Sequence, residues 1–181
     1  MGHDLGCFTC TAIAQISPHQ VKGIVHINGL GLQQFYNRKF NLKQWIKSSY
    51  VLFAQFNFVR LIVSKLFPNQ FLNIIYKLSH VEKENDLYKK DESVFSSIYI
   101  YKYLFKKTLG LIGSPTVKVS VPALFLWGNK DNFLEIPTLD EVDKFYDSAE
   151  VRVLPGGHWI HHCASEKVNR ILSNWKGFSY E

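Results

Sequence analysis

Two glycines four residues apart enclose a single carboxylate at the start of this chain. The segment Gly2-His3-Asp4-Leu5-Gly6 runs directly into a helical pattern, with Leu5, Phe8, Ala12, Ile13 and Ile16 at helical spacing and Pro18 as its stop. Small residues on both sides of Asp4 permit a strained turn that pushes one reactive side chain into the open. Such a turn is fed by a strand and opens a helix, so the segment commits the fold to βα units. The feeding strand is expected immediately before Met1.

The next run, Val21-Lys22-Gly23-Ile24-Val25-His26-Ile27-Asn28, is short, rich in β-branched residues and bounded by Pro18 and Gly29. A strand buried on both faces of a parallel sheet has this composition. After the break at Gly29-Leu30-Gly31 the pattern becomes helical and rich in Phe, Tyr, Leu and Lys. Helices are expected over 41–66, 68–80 and 92–108, with a break inside the first, Pro68 in the first turn of the second, and Gly110 and Gly113 after the third. Pro115 to Pro122 reads as a linker. A second buried strand, Ala123-Leu124-Phe125-Leu126-Trp127-Gly128, leads into the polar loop Asn129-Lys130-Asp131-Asn132. Thr138-Leu139-Asp140-Glu141 fits a capping box, followed by Val142, Phe145 and Tyr146 at core spacing. Glu150 to Leu154 alternates as a third strand and ends in Pro155-Gly156-Gly157-His158-Trp159. The last helix begins near Ser165, buries Val168, Ile171, Leu172 and Trp175, and stops at Gly177. Residues 1–28 and 121–181 thus form an α/β core, interrupted by a helical insert over 29–120.

A chain of 181 residues suffices for one domain with a real core. Its net charge of +6 invites a nucleic-acid partner, but the densest lysines, 83 to 107, alternate with Glu82, Glu84, Asp86, Asp91 and Glu92. That is the pattern of a solvated face, so no nucleic-acid partner is expected. The apolar run from Tyr50 to Leu78 is interrupted by Arg60, Lys65 and Asn69, too early for a membrane span. Gly6 stands where a myristoylation signal wants Ser or Thr. Three cysteines without a visible secretory signal point to a reducing cytoplasm. Cys7 and Cys10, with His161-His162-Cys163, could be taken for a metal set. The cysteines instead fall on one face of the first helix, where small thiols pack, and the two histidines are expected on the loop before the last helix. No metal or cofactor is expected.

Asp4, Asp131 and His158 all stand on loops that follow strand segments, where open α/β sheets place their active sites. Nucleophile, acid and histidine, in that order, resemble the α/β-hydrolase fold, and Gly2-His3-Asp4-Leu5-Gly6 resembles its nucleophile elbow with aspartate at the apex. Together with Trp127-Gly128-Asn129-Lys130-Asp131 and Gly157-His158-Trp159, the likeness is to the aspartate-nucleophile branch, the epoxide hydrolases and their dehalogenase cousins. It covers essentially the whole chain. It implies that the insert is a helical cap, and that Tyr50-Val51-Leu52-Phe53-Ala54-Gln55 and Tyr99-Ile100-Tyr101-Lys102 carry the two cap tyrosines. These would be Tyr50 and Tyr101, with Tyr99 competing for the second place.

The implied chemistry is attack of Asp4 on an epoxide carbon to give an alkyl-enzyme ester. The tyrosines assist the departing oxygen, and the backbone N–H of Leu5 is one oxyanion donor. His158, oriented by Asp131, activates the water that cleaves the ester. The substrate would be small and apolar. Dehalogenation is the alternative, but relatives that stabilise a halide commonly carry Trp or Arg after the nucleophile, where this chain has Leu5. The family also has, ahead of the elbow, half of its sheet and an H-G-x-P-like loop. Only the C-terminal part of the fold is therefore expected here, with the strand at Val21 showing an apolar edge and an uncovered face. Such a chain is either a truncated enzyme, an enzyme completed by a complementing N-terminal half or a homo-oligomer, or a non-catalytic remnant that acts as an interaction module.

Overall fold

Ala123–Gly128 is apolar without interruption, and every one of its residues is buried. A strand with no solvent face must lie inside a sheet covered on both sides. The structure, a computed structural model, describes residues 1–38, 42–47, 56, 62, 65–80 and 116–178. It places this strand, β3, between β2 (Ile24–Ile27) and β4 (Ala149–Leu154), while β1 (Gly2–His3) flanks β2 on the other side. All pairings are parallel: Gly2 lies opposite His26, Ile24 opposite Ala123, and Ala123 opposite Ala149.

The strand expected before Met1 therefore ends inside the chain, and the sheet has four described strands rather than three. Two residues between a start and a turn carry no periodicity, so β1 left no pattern to read. The helix after the turn, α1 (Gly6–Ile16), buries Cys7, Thr11 and Ala14. Ile13 and Ile16, read as part of its apolar stripe, are 51% and 80% exposed. Close approach to the strand ends selects small side chains: a Cβ on Gly31 would stand 3.0 Å from Thr11 Oγ1. Bulky isoleucines cannot face that side.

Alternate residues of the strands serve two cores. Ile24, Ala123, Phe125 and Trp127 pack with Ala14 of α1 and with Val142, Phe145 and Tyr146. Val25, Ile27, Leu124 and Leu126 pack with Ile160, Val168 and Trp175. Both faces of β2 are thus covered and all four of its residues are buried, contrary to the uncovered face expected of it, while β1 pairs with its edge at His26 and Ile27. The segment read as a linker also joins the core. Val119 and Val121 are 1% and 6% exposed, and Val119 forms a parallel bridge to Tyr146.

Between β2 and β3 the described helices are α2 (Leu32–Asn37), α3 (Leu42–Lys47) and α4 (Pro68–Ser79), the last starting at the proline that marked it in the sequence. Most of the helix expected over 41–66 and all of that over 92–108 lie outside the described residues, as do Tyr50, Tyr99 and Tyr101. After β3, α5 (Leu139–Val142) is capped by Thr138, whose hydroxyl accepts from the Glu141 N–H at 3.2 Å. After β4 come α6 (Ile160–Cys163) and α7 (Ser165–Asn174). His161 and His162 stand within α6 rather than on a loop; backbone bonds from the 162 and 163 amides to the Trp159 carbonyl close that turn. Among the described residues no helix is long and apolar enough to cross a membrane.

Candidate active site

Asp4 sits directly beyond β1 with φ of +47°, a conformation that side chains other than glycine rarely adopt. The turn is held by its neighbours: the Asp4 N–H donates to the Ile27 carbonyl at 3.2 Å, and the Cys7 N–H to the Asp4 carbonyl at 3.0 Å. Gly2 is required, because a Cβ there would stand 2.5 Å from the Gly6 carbonyl oxygen. Gly6 is not, since a Cβ on it would meet nothing within 4 Å. The second indispensable glycine is Gly29, past the end of β2, where a Cβ would lie 2.5 Å from Cys7 Sγ and 2.6 Å from the Asp4 carbonyl oxygen. The elbow is thus braced across two strands rather than by a symmetric pair of glycines.

Asp131 follows β3. Its side chain is 1% exposed and fully engaged. Oδ1 accepts from the Phe133 and Leu134 N–H groups at 2.8 and 3.0 Å. Oδ2 accepts from Asn28 Nδ2 at 2.7 Å and faces His158 Nδ1 at 2.9 Å. Burial pushes the carboxyl up, but the His158 bond and charge and the Asn28 and Leu134 donors outweigh it and hold the group below the ordinary carboxylate value. The loop carrying it is tied to α3, where Lys47 Nζ donates to the Asp131 carbonyl at 2.6 Å and Gln44 Nε2 to that of Phe133 at 3.0 Å.

His158 follows β4 through Gly156, whose φ is +152°, and Gly157. A Cβ on Gly157 would collide with the Ser79 carbonyl oxygen at the end of α4, and one on Gly128 with the Gly157 carbonyl. The imidazole is buried, its Nδ1 on Asp131 and its Nε2 3.9 Å from Asp4 Oδ1. An anionic partner at Nδ1 fixes the proton there, so Nε2 is the nitrogen turned toward Asp4. Burial pushes the imidazole down. The Asp131 hydrogen bond and charge, with the charge of Asp4 added, outweigh that and leave it above the ordinary histidine value.

The three side chains singled out in the sequence therefore meet at the carboxyl ends of β1, β3 and β4, on one edge of the parallel sheet. A carboxylate at the apex of a strained turn faces an imidazole that is itself held by a buried carboxylate. Residues 1–163 match the alpha/beta hydrolase fold family. The chain belongs to that family.

Solved structures similar to this α/β hydrolase include two of an epoxide hydrolase from Bacillus megaterium. One is a point variant with TM-score 0.73 and 18% identity. The other holds its product, a naphthyloxy-propanediol, with TM-score 0.72 and 19% identity. Each match covers 95% of this chain and 66% of the other. An epoxide hydrolase recovered from hot-environment metagenomes matches with TM-score 0.65 and 14% identity, covering 99% of this chain and 67% of that one. No curated protein sequence matches the chain. The chain spans just under two thirds of the length of the Bacillus structures it resembles.

Two residues of this α/β hydrolase's site were not legible in the sequence. Asn28, buried with φ of +42°, donates to Asp131. His3 places Nε2 3.0 Å from the His158 carbonyl oxygen. An Asn-Gly pair at the carboxyl end of a strand is the signal that could have found the first. Cys7 is fully buried, its thiol pushed well up by that burial, and no group of three or more His, Cys, Asp or Glu among the described residues is arranged to hold a metal ion.

Proposed function

We propose that the site belongs to an epoxide-hydrolase-like enzyme with Asp4 as nucleophile. The observation that carries this is the contact of His158 Nε2 with the Asp4 carboxylate, backed by Asp131 on the opposite nitrogen. A histidine serving a serine would take a proton from it. Asp4 has none to give at neutral pH, so the imidazole's work falls in a second step, on water.

In the first step an Asp4 oxygen attacks an epoxide carbon, the ring C–O bond breaks, and an alkyl-enzyme ester forms. The departing alkoxide takes a proton from Tyr50 or Tyr101. In the second step water adds to the ester carbonyl and gives a proton to His158 Nε2, while the Leu5 N–H supports the oxyanion. The ester C–O bond then breaks, the departing alkoxide takes the proton held by His158 and the diol leaves, while the second proton of the attacking water passes from the Asp4 carboxyl back to the tyrosinate and restores the Asp4 carboxylate. Leu5, in place of the Trp or Arg of halide-binding relatives, weighs against the dehalogenase alternative. The substrate class is small and apolar, residues 29–120 act as the cap, and the remaining oxyanion donor comes from a complementing segment.

Single-turnover hydrolysis of styrene oxide in heavy-oxygen water tests this. The label is expected in Asp4, with unlabelled oxygen in the first-turnover diol. Label appearing in that diol and not in Asp4 would mean direct attack by water, and the nucleophile assignment would fall.

A further inference from the structure

The proposed reaction uses three side chains and leaves a fourth unexplained. His3 precedes Asp4, and its ring lies between those of His158 and His161, with centroids 4.9 and 4.4 Å away. Its Nε2 stands 3.0 Å from the backbone carbonyl oxygen of His158. A carbonyl can only accept, so His3 carries its proton on Nε2 and donates it there. The two residues are 155 apart in sequence. The bond thus joins the strand that feeds the nucleophile to the residue that carries the imidazole.

The turn before His158 is anchored through its backbone: the Gly156 N–H donates to Asn129 Oδ1 at 3.2 Å, the Gly156 carbonyl accepts from the Lys130 N–H at 2.8 Å, and the Gly157 carbonyl accepts from Asn28 Nδ2 at 3.4 Å. The His3 bond extends that set to the His158 carbonyl itself. The His158 ring is held at Nδ1 by Asp131 and lies against the Phe133 ring, with centroids 5.0 Å apart. Its distance from Asp4 is set by where the His158 peptide lies.

We propose that His3 is a positioning residue, whose imidazole N–H fixes the His158 peptide and so holds the His158 ring opposite Asp4. The proposal rests on the roles assigned above to Asp4 and His158. His3 suits the task because it does not titrate with the group it holds. Burial first, and then the neighbouring charge of His158, push it down to about 3, so it remains a neutral donor throughout the working range.

The test compares three variants of the full chain. His3→Gln keeps an N–H at similar reach; His3→Leu and His3→Phe remove the donor, the second retaining a ring between the two histidines. Imidazole nitrogen NMR follows the titration of His158 in each, and mass spectrometry follows the styrene oxide ester on Asp4. Losing the tie lets the ring drift from Asp4, so His158 in the Leu and Phe variants should titrate lower by about half a unit or more, as when an opposite charge within about 4–6 Å is withdrawn. Ester hydrolysis should slow by about tenfold to a hundredfold, the scale of a misplacement of about 1 Å, with ester formation little changed. His3→Gln should restore both. Unchanged titration in the Leu and Phe variants overturns the proposal, and so does a Gln variant as impaired as Leu, which would make the ring's packing the cause. Should the parent form no ester on Asp4, the proposed reaction falls, while the titration still decides whether His3 positions the ring. Should the Leu variant fail to melt cooperatively, Phe against Gln carries the comparison.

Discussion

Asn28 and His158 share one oxygen. Asn28 Nδ2 lies 2.7 Å and His158 Nδ1 2.9 Å from Asp131 Oδ2, so the buried carboxylate is held from β2 as well as from the turn after β4. Asn28→Gly keeps the left-handed backbone and loses the donor, which should cost about 1.5–3 kcal/mol, the range for hydrogen bonds to charged groups. Asn28→Ala loses the donor and adds backbone strain of about 1 kcal/mol. Urea melts should rank parent, Gly, Ala in falling stability. Equal stability of the parent and the glycine variant would mean that the amide contributes nothing.

The glycines of the elbow should respond in opposite directions. Gly29→Ala forces a methyl group to within 2.6 Å of the Asp4 carbonyl and against Cys7 Sγ. Overpacking of that kind costs about 1–3 kcal/mol and should also displace the carboxylate. Gly6→Ala enters open space in the first turn of α1 and should stabilise by up to about 1 kcal/mol through helix propensity. Thermal melts of the two variants are sufficient to check this.

Acid should unfold the protein through its buried histidines. His3 and His26 are both pushed from 6.5 to about 3, each chiefly by burial. Between those values the unfolded chain binds protons that the folded chain refuses, so stability falls as pH drops, by up to about 1.4 kcal/mol per pH unit for each group. His158 has the opposite sign. Its folded value lies above 6.5, so its contribution is complete below 6.5 and is lost as pH rises through the raised value. It adds no slope on the acid side. Denaturation midpoints from pH 6.5 to 4 should drop steeply, and about half as steeply in a His26→Leu variant.

The raised His158 value also bears on the activity profile. Water attack on the ester needs neutral His158, and esterification removes the Asp4 charge that helps raise it, so the acid limb of ester hydrolysis should lie below the titration of His158 in the free protein. Asp131→Asn removes the main cause of the elevation and should move the limb down while slowing hydrolysis by orders of magnitude. Pre-steady-state rates against pH would show both effects; an unshifted limb would dissociate His158 from that step.

Arg38, at the end of α2, and Glu141, in α5, form a largely buried ion pair that can be tested by substitution. Arg38, its side chain 5% exposed, donates to Glu141 at 2.5 and 2.7 Å, to the Glu135 carbonyl at 2.6 Å and toward Gln44. Glu141→Ala leaves a buried guanidinium without its counter-charge and should cost about 3 kcal/mol or more. The double variant Arg38→Met/Glu141→Leu should cost less than the single one, as guanidinium chloride melts can establish.

What could be read beforehand followed the reach of local pattern. The strands at Ile24 and Ala123 are apolar runs and the one ending at Leu154 alternates, each bounded by glycine or proline, and the residues that follow two of them, with Asp4, make up the meeting point. Features decided by distant neighbours were not legible. Arg38 and Glu141 stand 103 positions apart, so the glutamate read as half of a capping box in fact serves the arginine. The need for Gly29 depends on α1 crossing above it. The isoleucines of α1 misled because periodicity alone does not show that the sheet accepts only small side chains there.

The contact between Gly157 and the Ser79 carbonyl has a mechanical meaning. With no room for a single methyl group between them, the tip of α4 and the turn bearing the imidazole behave as meshed cogs. A shift of the tip of α4 toward that turn would therefore push on the peptide that leads into His158.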